Sequence, residues 1–333
     1  MKKRLLEYLA CPSCAGALRL TARREDGIEV MEGELACDAC ARSFLIERGI
    51  PRFADLAELE RDKQATAEKF GWSWQTFTHE DEKYAAEFLG WIAPVVPSFF
   101  AGKVVLEGGC GKGRHTRRVA QWGARDIVAV DLSAAVEVAF AATRGWENAH
   151  VIQADIYRLP LRRAFDYAFS IGVLHHLPDP EASFQNLLRY LKPQGEVQIY
   201  LYWRPEGQPI KRALLSIVWA TRQVTTRLPH SAVYALAFPA AVGAFTFFVW
   251  PYRILKAVGL KSIAEKLPMK QYAHFPFRVC VNDQLDRFSA PIENRYTRQD
   301  VADWLNRAQL EKTKVNAAYG WIGTGRKPAI LSR

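Results

Sequence analysis

The chain has 333 residues, of which 49% are hydrophobic, 24% charged and 12% aromatic. This composition excludes a disordered or fibrous protein and supplies enough apolar side chains for one large domain or two modest ones. The net charge of +10, with a pI near 9.3, is typical of proteins that meet nucleic acid or an anionic membrane surface. Between Arg204 and Arg278, eleven Lys and Arg stand against two acids, so this segment holds most of the excess charge.

Four of the six cysteines form two CxxC pairs near the N-terminus, Cys11 with Cys14 and Cys37 with Cys40. Two such pairs are typical of a closed, structural zinc site with four thiolate ligands, and the stretch between them predicts two strands around a turn at residues 26–27. A redox-active CxxC is the alternative. Because so few cysteines do not make a disulfide framework, we expect a reducing, cytoplasmic compartment.

The residues around these pairs, LLEYLACPSCAGAL and CDACARSFLIERGIP, resemble the small zinc-ribbon proteins that act as activating platforms for tRNA methyltransferases. The resemblance covers residues 5 to 53 and implies a zinc-ribbon module over residues 1–53, fused to an enzyme core. Residues 54–100 then predict an exposed helical linker followed by an aromatic segment, FGWSWQTF. Trp72 and Trp74 of this segment are candidates to cover a ligand or to fill an apolar seam between domains.

From Lys103 onward, short apolar runs alternate with helical stretches, which predicts an α/β fold with a doubly wound, mostly parallel sheet. An E-x-G-x-G-x-G pattern over residues 107–113 follows the first strand, where glycines let a ligand approach the backbone. The leading carboxylate suits a cationic ammonium better than a pyrophosphate. Asp131 and Asp155 end the next two strands, where carboxylates can accept from ribose hydroxyls and from an adenine amino group.

These motifs, together with FDYAFSIGVLHHLPDP and LLRYLKPQGEVQIY, are similar to those of class I S-adenosylmethionine-dependent methyltransferases. The match spans about residues 103 to 202 and implies a Rossmann-like sheet of seven strands, with S-adenosylmethionine bound by a core over residues 101–204. The resemblance implies that Glu107 orients the methionine amino group, Asp131 holds the ribose, and Asp155 with Ile156 holds the adenine. The chain departs from the family in having Glu107 where Asp is commoner, and Gln194 where many members have glycine. The cofactor-binding residues implied are Glu107, Gly108, Gly109, Cys110, Gly111, Gly113, Asp131, Leu132, Ala154, Asp155, Ile156, Ser170 and Ile171.

Two adjacent histidines, His175 and His176, follow the fourth strand at the edge of the sheet where ligands bind. Methyl transfer requires alignment of nucleophile and methyl group, and a base where the nucleophile is a hydroxyl. A neutral imidazole can accept that proton, so both residues are candidate catalytic residues. The alternative is that one or both only pack, or bond to the backbone.

Residues 205–277 break the strand–helix alternation and form an apolar, basic insert that predicts a helical lid. The uncharged run from Ser231 to Trp250 reaches the length of a minimal membrane span, but Pro239 and several small residues favour a closed helical cap. An apolar face that meets a lipid-like acceptor, with Lys and Arg at anionic head groups, is the further alternative. Residues 278–333 predict a helix and strands that complete the core.

The sequence therefore predicts an S-adenosylmethionine-dependent methyltransferase that acts on a small-molecule or lipid-linked metabolite. We expect it to be cytoplasmic, with peripheral contact to an anionic membrane as an open alternative. Nucleic acid is the less favoured partner, because the zinc-ribbon module is near neutral and the basic segment is largely apolar. Two other functions stay open: an rRNA or tRNA base methyltransferase, and a scaffold protein that binds the cofactor without turnover.

Overall fold

The computed structural model describes residues 1–54, 60–76, 83–318 and 320–329. The start of the expected linker (55–59), the end of the aromatic segment (Phe77) and the end of the expected last strand (330–333) lie outside this description. Two compact units are present, which we call the sheet unit (Met1–Glu206 with Ile292–Arg333) and the helical unit (Gly207–Pro291). The finer division expected from the sequence stays a prediction.

The zinc-ribbon module at the N-terminus of the sheet unit is a four-stranded antiparallel sheet in the order β1-β2-β3-β4. The turn between β1 and β2 pairs Asp26 with Glu29 and places Gly27 at φ +60°, the left-handed conformation that glycine tolerates best. A short 3₁₀ helix, Lys3–Glu7, precedes the sheet. The four strands are β1 (Leu18–Asp26), β2 (Glu29–Cys37), β3 (Ser43–Glu47) and β4 (Ile50–Pro51).

A second sheet of seven strands, in the order β10-β11-β9-β8-β5-β6-β7, forms the centre of the sheet unit. Strands β5 to β9 run parallel, and β11 lies antiparallel between β9 and β10. The expected Rossmann-like, mostly parallel sheet is therefore confirmed. Its strands are β5 (Val104–Gly108), β6 (Asp126–Asp131), β7 (Ala149–Gln153), β8 (Phe165–Ile171), β9 (Leu191–Leu201), β10 (Glu311–Ala318) and β11 (Gly320–Arg326).

Helices connect the strands, and several begin at residues suited to capping. The side chain of Asp179 accepts from the backbone N–H of Ala182, with Pro180 as the first helical residue of α5. Thr297 and Asp300 form a reciprocal capping box at the start of α11. The helices of the sheet unit are α1 (Arg61–Thr76), α2 (Lys83–Ile92), α3 (Arg114–Gln121), α4 (Val136–Thr143), α5 (Pro180–Arg189) and α11 (Arg298–Arg307).

Alternate residues of the central strands enter two different apolar cores, one on each face of the large sheet. Leu106 of β5 joins one core and Val105 joins the other. The core that contains Leu106 also includes buried side chains of the zinc-ribbon module, among them Leu5, Leu9 and Leu35. Because module and sheet share one core, we expect them to fold together.

The helix α1 is not the exposed linker that its polar sequence predicts. Thr66, Ala67 and Lys69 are buried, although they lie in the stretch expected to be exposed. Further along the helix, a Cβ added to Gly71 would lie only 3.2 Å from the backbone nitrogen of Ala134, so the helix packs closely there without a large apolar side chain. Residues of α1 therefore reach the loop that follows β6.

The helical unit packs around a small apolar core that includes Ala241, Val249, Tyr272 and Cys280. The helix from His230 to Ala257 is long and apolar enough to cross a membrane by length and composition, and only 28% of its most apolar window is buried. Exposed apolar residues follow one another along it at helical spacing, namely Phe247, Trp250 and Ile254. Its helices are α6 (Pro209–Thr225), α7 (His230–Ala244), a π-helical turn (Phe245–Val249), α8 (Trp250–Ala257), α9 (Lys261–Ala264) and α10 (Phe277–Ser289).

A buried carboxylate at the start of β6, Asp126, joins the zinc-ribbon module to the large sheet. It accepts hydrogen bonds from the Tyr8 hydroxyl (2.6 Å) and His150 Nε2 (2.9 Å), and an Arg4 guanidinium nitrogen lies 2.7 Å from it. Burial opposes its ionisation, but these donors outweigh that cost and hold the pKa of Asp126 below its ordinary value. Burial also lowers the pKa of His150, which stays a neutral donor.

We expect Asp126→Ala to destabilise the chain by about 3–5 kcal/mol, because the buried donors of Tyr8 and His150 would lose their acceptor. Arg125→Ala is the matched control, since Arg125 is exposed and lies 3.9 Å from the same carboxylate. Urea unfolding of both variants measures the difference. A cost for Asp126→Ala no larger than that of the control would contradict the assigned role.

Candidate functional site

Three carboxylates that the sequence places at strand ends meet at the carboxyl edge of the parallel strands. Glu107 lies near the end of β5, Asp131 ends β6, and Asp155 follows β7. Because β5, β6 and β7 are parallel neighbours, their ends fall on one side of the sheet. Ligands of open α/β sheets bind at this edge, so the sequence and the fold indicate the same site.

Glu107 is held deep in the site by two residues of the following helix, α3. Its carboxylate accepts from the Thr116 hydroxyl (2.5 Å) and from His115 Nδ1 (3.2 Å), and the residue is 1% exposed. His115 Nε2 accepts from Arg114 Nε at 3.2 Å, so the proton of this neutral imidazole lies on Nδ1. Burial raises the pKa of Glu107 to about 8 and lowers that of His115 well below its ordinary value.

The glycine loop after β5 is pinned to the end of β6. The backbone N–H groups of Gly109 and Cys110 donate to the Val130 carbonyl, and that of Gly111 donates to Asp131 at 2.8 Å. Gly109 has φ +82°, and a Cβ there would lie 2.4 Å from the Val173 side chain, so only glycine fits. The predicted loop therefore has the backbone conformation that the motif requires.

Asp131 organises the loop that follows it. Its second oxygen accepts from both the backbone N–H and the hydroxyl of Ser133, at 2.9 and 2.7 Å. Asp131 is partly exposed, so its carboxylate has room for a ligand in addition to these bonds. The same carboxylate thus positions the backbone and remains available to hydroxyl groups.

Asp155 has a partner that the sequence did not reveal. Lys63 of α1 lies 3.2 Å from its carboxylate and 4.0 Å from the centre of the Tyr157 ring, while the Tyr157 N–H donates to the other oxygen. Trp74, also on α1, lies so close to Gly111 that an added Cβ would be 3.1 Å from its indole nitrogen. The first helix therefore contacts both the glycine loop and the third acid.

The other predicted cofactor residues surround these acids, and most are buried. The Ser170 hydroxyl donates to the Gly108 carbonyl at 2.7 Å, which ties β8 to the start of the glycine loop. Leu132 is partly exposed beside Asp131. The residues that are buried behind the site are Gly108, Cys110, Ala154, Ile156, Ser170 and Ile171, and Gly113 caps the start of α3.

The two histidines after β8 differ in their surroundings. His175 is fully buried, stacks on Tyr202 with ring centres 3.8 Å apart, and makes no hydrogen bond of ordinary geometry through its ring among the described residues. Burial lowers its pKa well below the ordinary value. His176 Nδ1 donates to the Ile292 carbonyl at 2.7 Å, so the lone pair of the uncharged form of this ring lies on Nε2. The bond to Ile292 therefore fixes the tautomer in which Nε2 of His176 can accept a proton.

The four cysteines of the zinc-ribbon module form one cluster. All four Sγ atoms lie within 4.8 Å of one another, with Cys11–Cys40 at 3.6 Å and Cys14–Cys37 at 3.4 Å. Zn–S bonds of ~2.3 Å in a tetrahedral site give Sγ separations of about 3.8 Å, so the cluster fits a zinc ion. Four thiolates leave no position open for substrate, which makes the site structural.

We expect the purified, reduced chain to hold one zinc per molecule. Because the module shares its core with the large sheet, Cys37→Ser should lower the melting temperature of the whole sheet unit as well as the zinc content. Elemental analysis and thermal melting measure both effects. Cys280→Ser, outside the cluster, is the control for zinc content. The assignment would be contradicted if Cys280→Ser lost its zinc, or if Cys37→Ser kept a full equivalent.

The raised pKa of Glu107 has a consequence for stability. Between its ordinary value, 4.5, and about 8, the folded chain holds a proton that the unfolded chain has released, so stability falls as pH rises through this window. Glu107→Gln removes that loss. We therefore expect the melting temperature of the variant, relative to that of the wild type, to increase as pH rises from 4.5 to 8. The exposed Glu147→Gln is the control. Parallel pH profiles for Glu107→Gln and wild type would contradict the buried, neutral state.

Comparison with known proteins identifies two parts of the chain. Residues 106–199 match the methyltransferase domain model, and residues 2–49 match the Trm112p-like protein model. A tRNA U34 carboxymethyltransferase of Aeromonas salmonicida (strain A449) is 40% identical over 101 residues, which cover 29% of this chain and 31% of that protein. A protein of the same name from Sodalis glossinidius (strain morsitans) is 35% identical over 132 residues, covering 38% of this chain and 39% of that protein. The chain thus spans about a third of the length of these curated relatives.

Among solved structures, the complex between the Haloferax volcanii Trm112 methyltransferase activator and a methyltransferase is similar with a TM-score of 0.45 and 13% identity. The match covers 79% of this chain and 98% of that chain.

The chain carries a methyltransferase domain joined to a Trm112p-like module, so both resemblances expected from the sequence are confirmed, as is the S-adenosylmethionine-dependent class. The expected small-molecule or lipid-linked acceptor is wrong, and so is the low rank given to nucleic acid, because the names of the relatives place their activity on tRNA. Nucleic acid was ranked low because the basic segment is also largely apolar. Attraction to phosphates, however, depends on the total charge over longer distances.

Proposed function

We propose that the chain is an S-adenosylmethionine-dependent methyltransferase that modifies RNA in the cytoplasm, with tRNA as the substrate class. The observation that carries the proposal is the convergence of Glu107, Asp131 and Asp155 on one sheet edge, around a glycine loop that is pinned to β6. The order of the seven strands agrees with it. The division into residues 1–53, 54–100, 101–204, 205–277 and 278–333 is part of this proposal.

Charge supports RNA as the acceptor. The helical unit, Gly207–Pro291, contains eleven Lys and Arg against three acids and so carries +8 of the net +10. Such an excess attracts a polyphosphate backbone and makes binding dependent on salt. The names of the relatives support tRNA in particular.

The site residues fit S-adenosylmethionine through their chemistry. Glu107 would bind the methionine ammonium, Asp131 the ribose hydroxyls, and Asp155 the adenine amino group. Bound S-adenosylmethionine supplies a methyl group on a sulfonium, which transfers by in-line displacement. The residues of the chain must therefore hold the ligand, exclude water and accept a proton.

His176 is the residue that we assign to proton acceptance. The Ile292 carbonyl holds a proton on its Nδ1, so its Nε2 carries the lone pair that a hydroxyl acceptor requires. His175 supports this ring from behind, with ring centres 4.4 Å apart, and stacks on Tyr202. In this proposal His175 is structural and His176 is the base.

The proposed function predicts transfer of label from methyl-labelled S-adenosylmethionine to tRNA, in a form that nuclease releases. Asp131→Ala should weaken binding of S-adenosylmethionine about tenfold to a hundredfold, because it removes charge-assisted hydrogen bonds. The matched control is Asp166→Ala, since Asp166 accepts from the Val104 N–H at the opposite end of the strands. Calorimetry and labelling measure both variants.

The outcomes separate the competing functions. Binding of S-adenosylmethionine without transfer to any RNA would favour a scaffold protein. Mass spectrometry of the modified nucleoside distinguishes a methyl group from the carboxymethyl group in the names of the relatives. Equal binding by Asp131→Ala and Asp166→Ala would contradict the assigned site.

A further inference from the structure

The zinc-ribbon module reaches the large sheet a second time, close to the candidate site. Directly after β4, Arg52 pairs in parallel with Gln153 at the end of the edge strand β7. The Phe53 N–H donates to the Gln153 carbonyl at 2.8 Å. The module thereby covers the carboxyl end of an edge strand, the end from which the loop carrying Asp155 departs.

The side chain of Arg52 spans two loops of the site. One guanidinium nitrogen donates to the Gln153 side-chain oxygen at 2.9 Å, and another pairs with Glu137 in the first turn of α4. Gln153 in turn donates to the Leu132 carbonyl at 3.0 Å. The Arg52 side chain is 13% exposed and Gln153 as a whole residue is 7% exposed, so water competes little for these bonds.

These contacts connect the loop after β6 to the loop after β7. Leu132 is the residue after Asp131, and Gln153 precedes Asp155 by two residues. The Ala154 N–H also donates to the Asp131 carbonyl at 3.1 Å. The distance between the two carboxylates therefore depends on bonds that converge on Gln153, and Arg52 holds Gln153 from the side of the module.

We propose that Arg52 is a positioning residue through which the zinc-ribbon module sets the spacing of Asp131 and Asp155. The planar guanidinium holds two acceptors in fixed directions, which a lysine ammonium does not do. Arg52 acts through Gln153 and Glu137. The identity of the ligand at these acids rests on the proposed function, but the positioning itself does not.

The same module offers a matched control at the other end of β6. Arg4 pairs with Asp126 at 2.7 Å, at the start of the strand that Asp131 ends. Both arginines join the module to a carboxylate outside it, but the described contacts of Arg4 do not include the loops of the site. A purely stabilising role for Arg52 predicts equal effects of the two substitutions on ligand binding.

The experiment compares Arg52→Met, Arg52→Lys and Arg4→Met in the full, zinc-loaded chain. Calorimetry with S-adenosylmethionine, at a temperature where each variant is folded, should give about tenfold weaker binding for Arg52→Met, the size expected when a hydrogen bond that orders the site is lost. Arg52→Lys should recover part of this loss, and Arg4→Met should bind as the wild type does even if it melts earlier.

Amide hydrogen exchange supplies a readout without ligand. We expect faster exchange over residues 131–137 in Arg52→Met and unchanged exchange there in Arg4→Met. Gln153→Leu is the second variant should Arg52→Met fail to fold, and it should reproduce both effects from the side of the sheet. The double variant of Arg52 and Gln153 should be no worse than the more affected single one.

The results distinguish this inference from the proposed function. Absence of S-adenosylmethionine binding by the wild type would overturn the proposed function, and the exchange data would still decide the role of Arg52. Equal exchange and equal ligand affinity in Arg52→Met and Arg4→Met would overturn the positioning role.

Discussion

A fully buried carboxylate at the start of β6 is the constraint on which the arrangement of the sheet unit depends. Asp126 can remain ionised without contact to water only because Tyr8, Arg4 and His150 surround it with donors. Two of these three residues belong to the zinc-ribbon module. The module is therefore required to satisfy a charge in the enzyme core, and the two parts form one structural unit around one apolar core.

The strand β6 carries this constraint to the candidate site. Asp126 starts the strand and Asp131 ends it, so the strand that the module anchors at one end holds a ligand-binding candidate at the other. Asp131 in turn fixes the glycine loop through the Gly111 N–H. Two backbone bonds to the Val130 carbonyl and one bond to the Asp131 carboxylate thus determine where the glycine loop lies.

The sequence was sufficient to predict the parts of the site that follow from strand order. Carboxylates after successive strands must meet at one edge of a parallel sheet, and a glycine pattern between strand and helix fixes the loop; Glu107, Asp131 and Asp155 follow from these two rules. The two CxxC pairs similarly predict a closed metal site, and the four Sγ atoms do cluster.

Contacts between distant segments could not be predicted in this way. Lys63 meets Asp155, and the Ile292 carbonyl meets His176, across separations in sequence that no local pattern encodes. The helix α1 was misjudged because burial was inferred from apolar residues, whereas its buried residues include Lys69 and Ser73, and Gly71 allows close packing through its small size. The methyl acceptor was misjudged because the apolar residues of the insert, residues 205–277, were taken as evidence against nucleic acid in spite of its positive charge.

The state of Glu107 gives the site a further property. Burial raises the pKa of this acid to about 8, so it is neutral below that pH. The proposed ligand, however, carries an ammonium group that prefers a carboxylate. Under the proposed function, binding of the ammonium would release the proton of Glu107 to solvent, and the positive charge of the ligand would then offset the cost of a buried anion. His115 and Thr116 already donate to both oxygens, so the carboxylate forms in a place where its hydrogen bonds exist beforehand. Without ligand, Glu107 is therefore a neutral acid whose neighbouring donors suit a carboxylate. A cationic ligand would stabilise the ionised form.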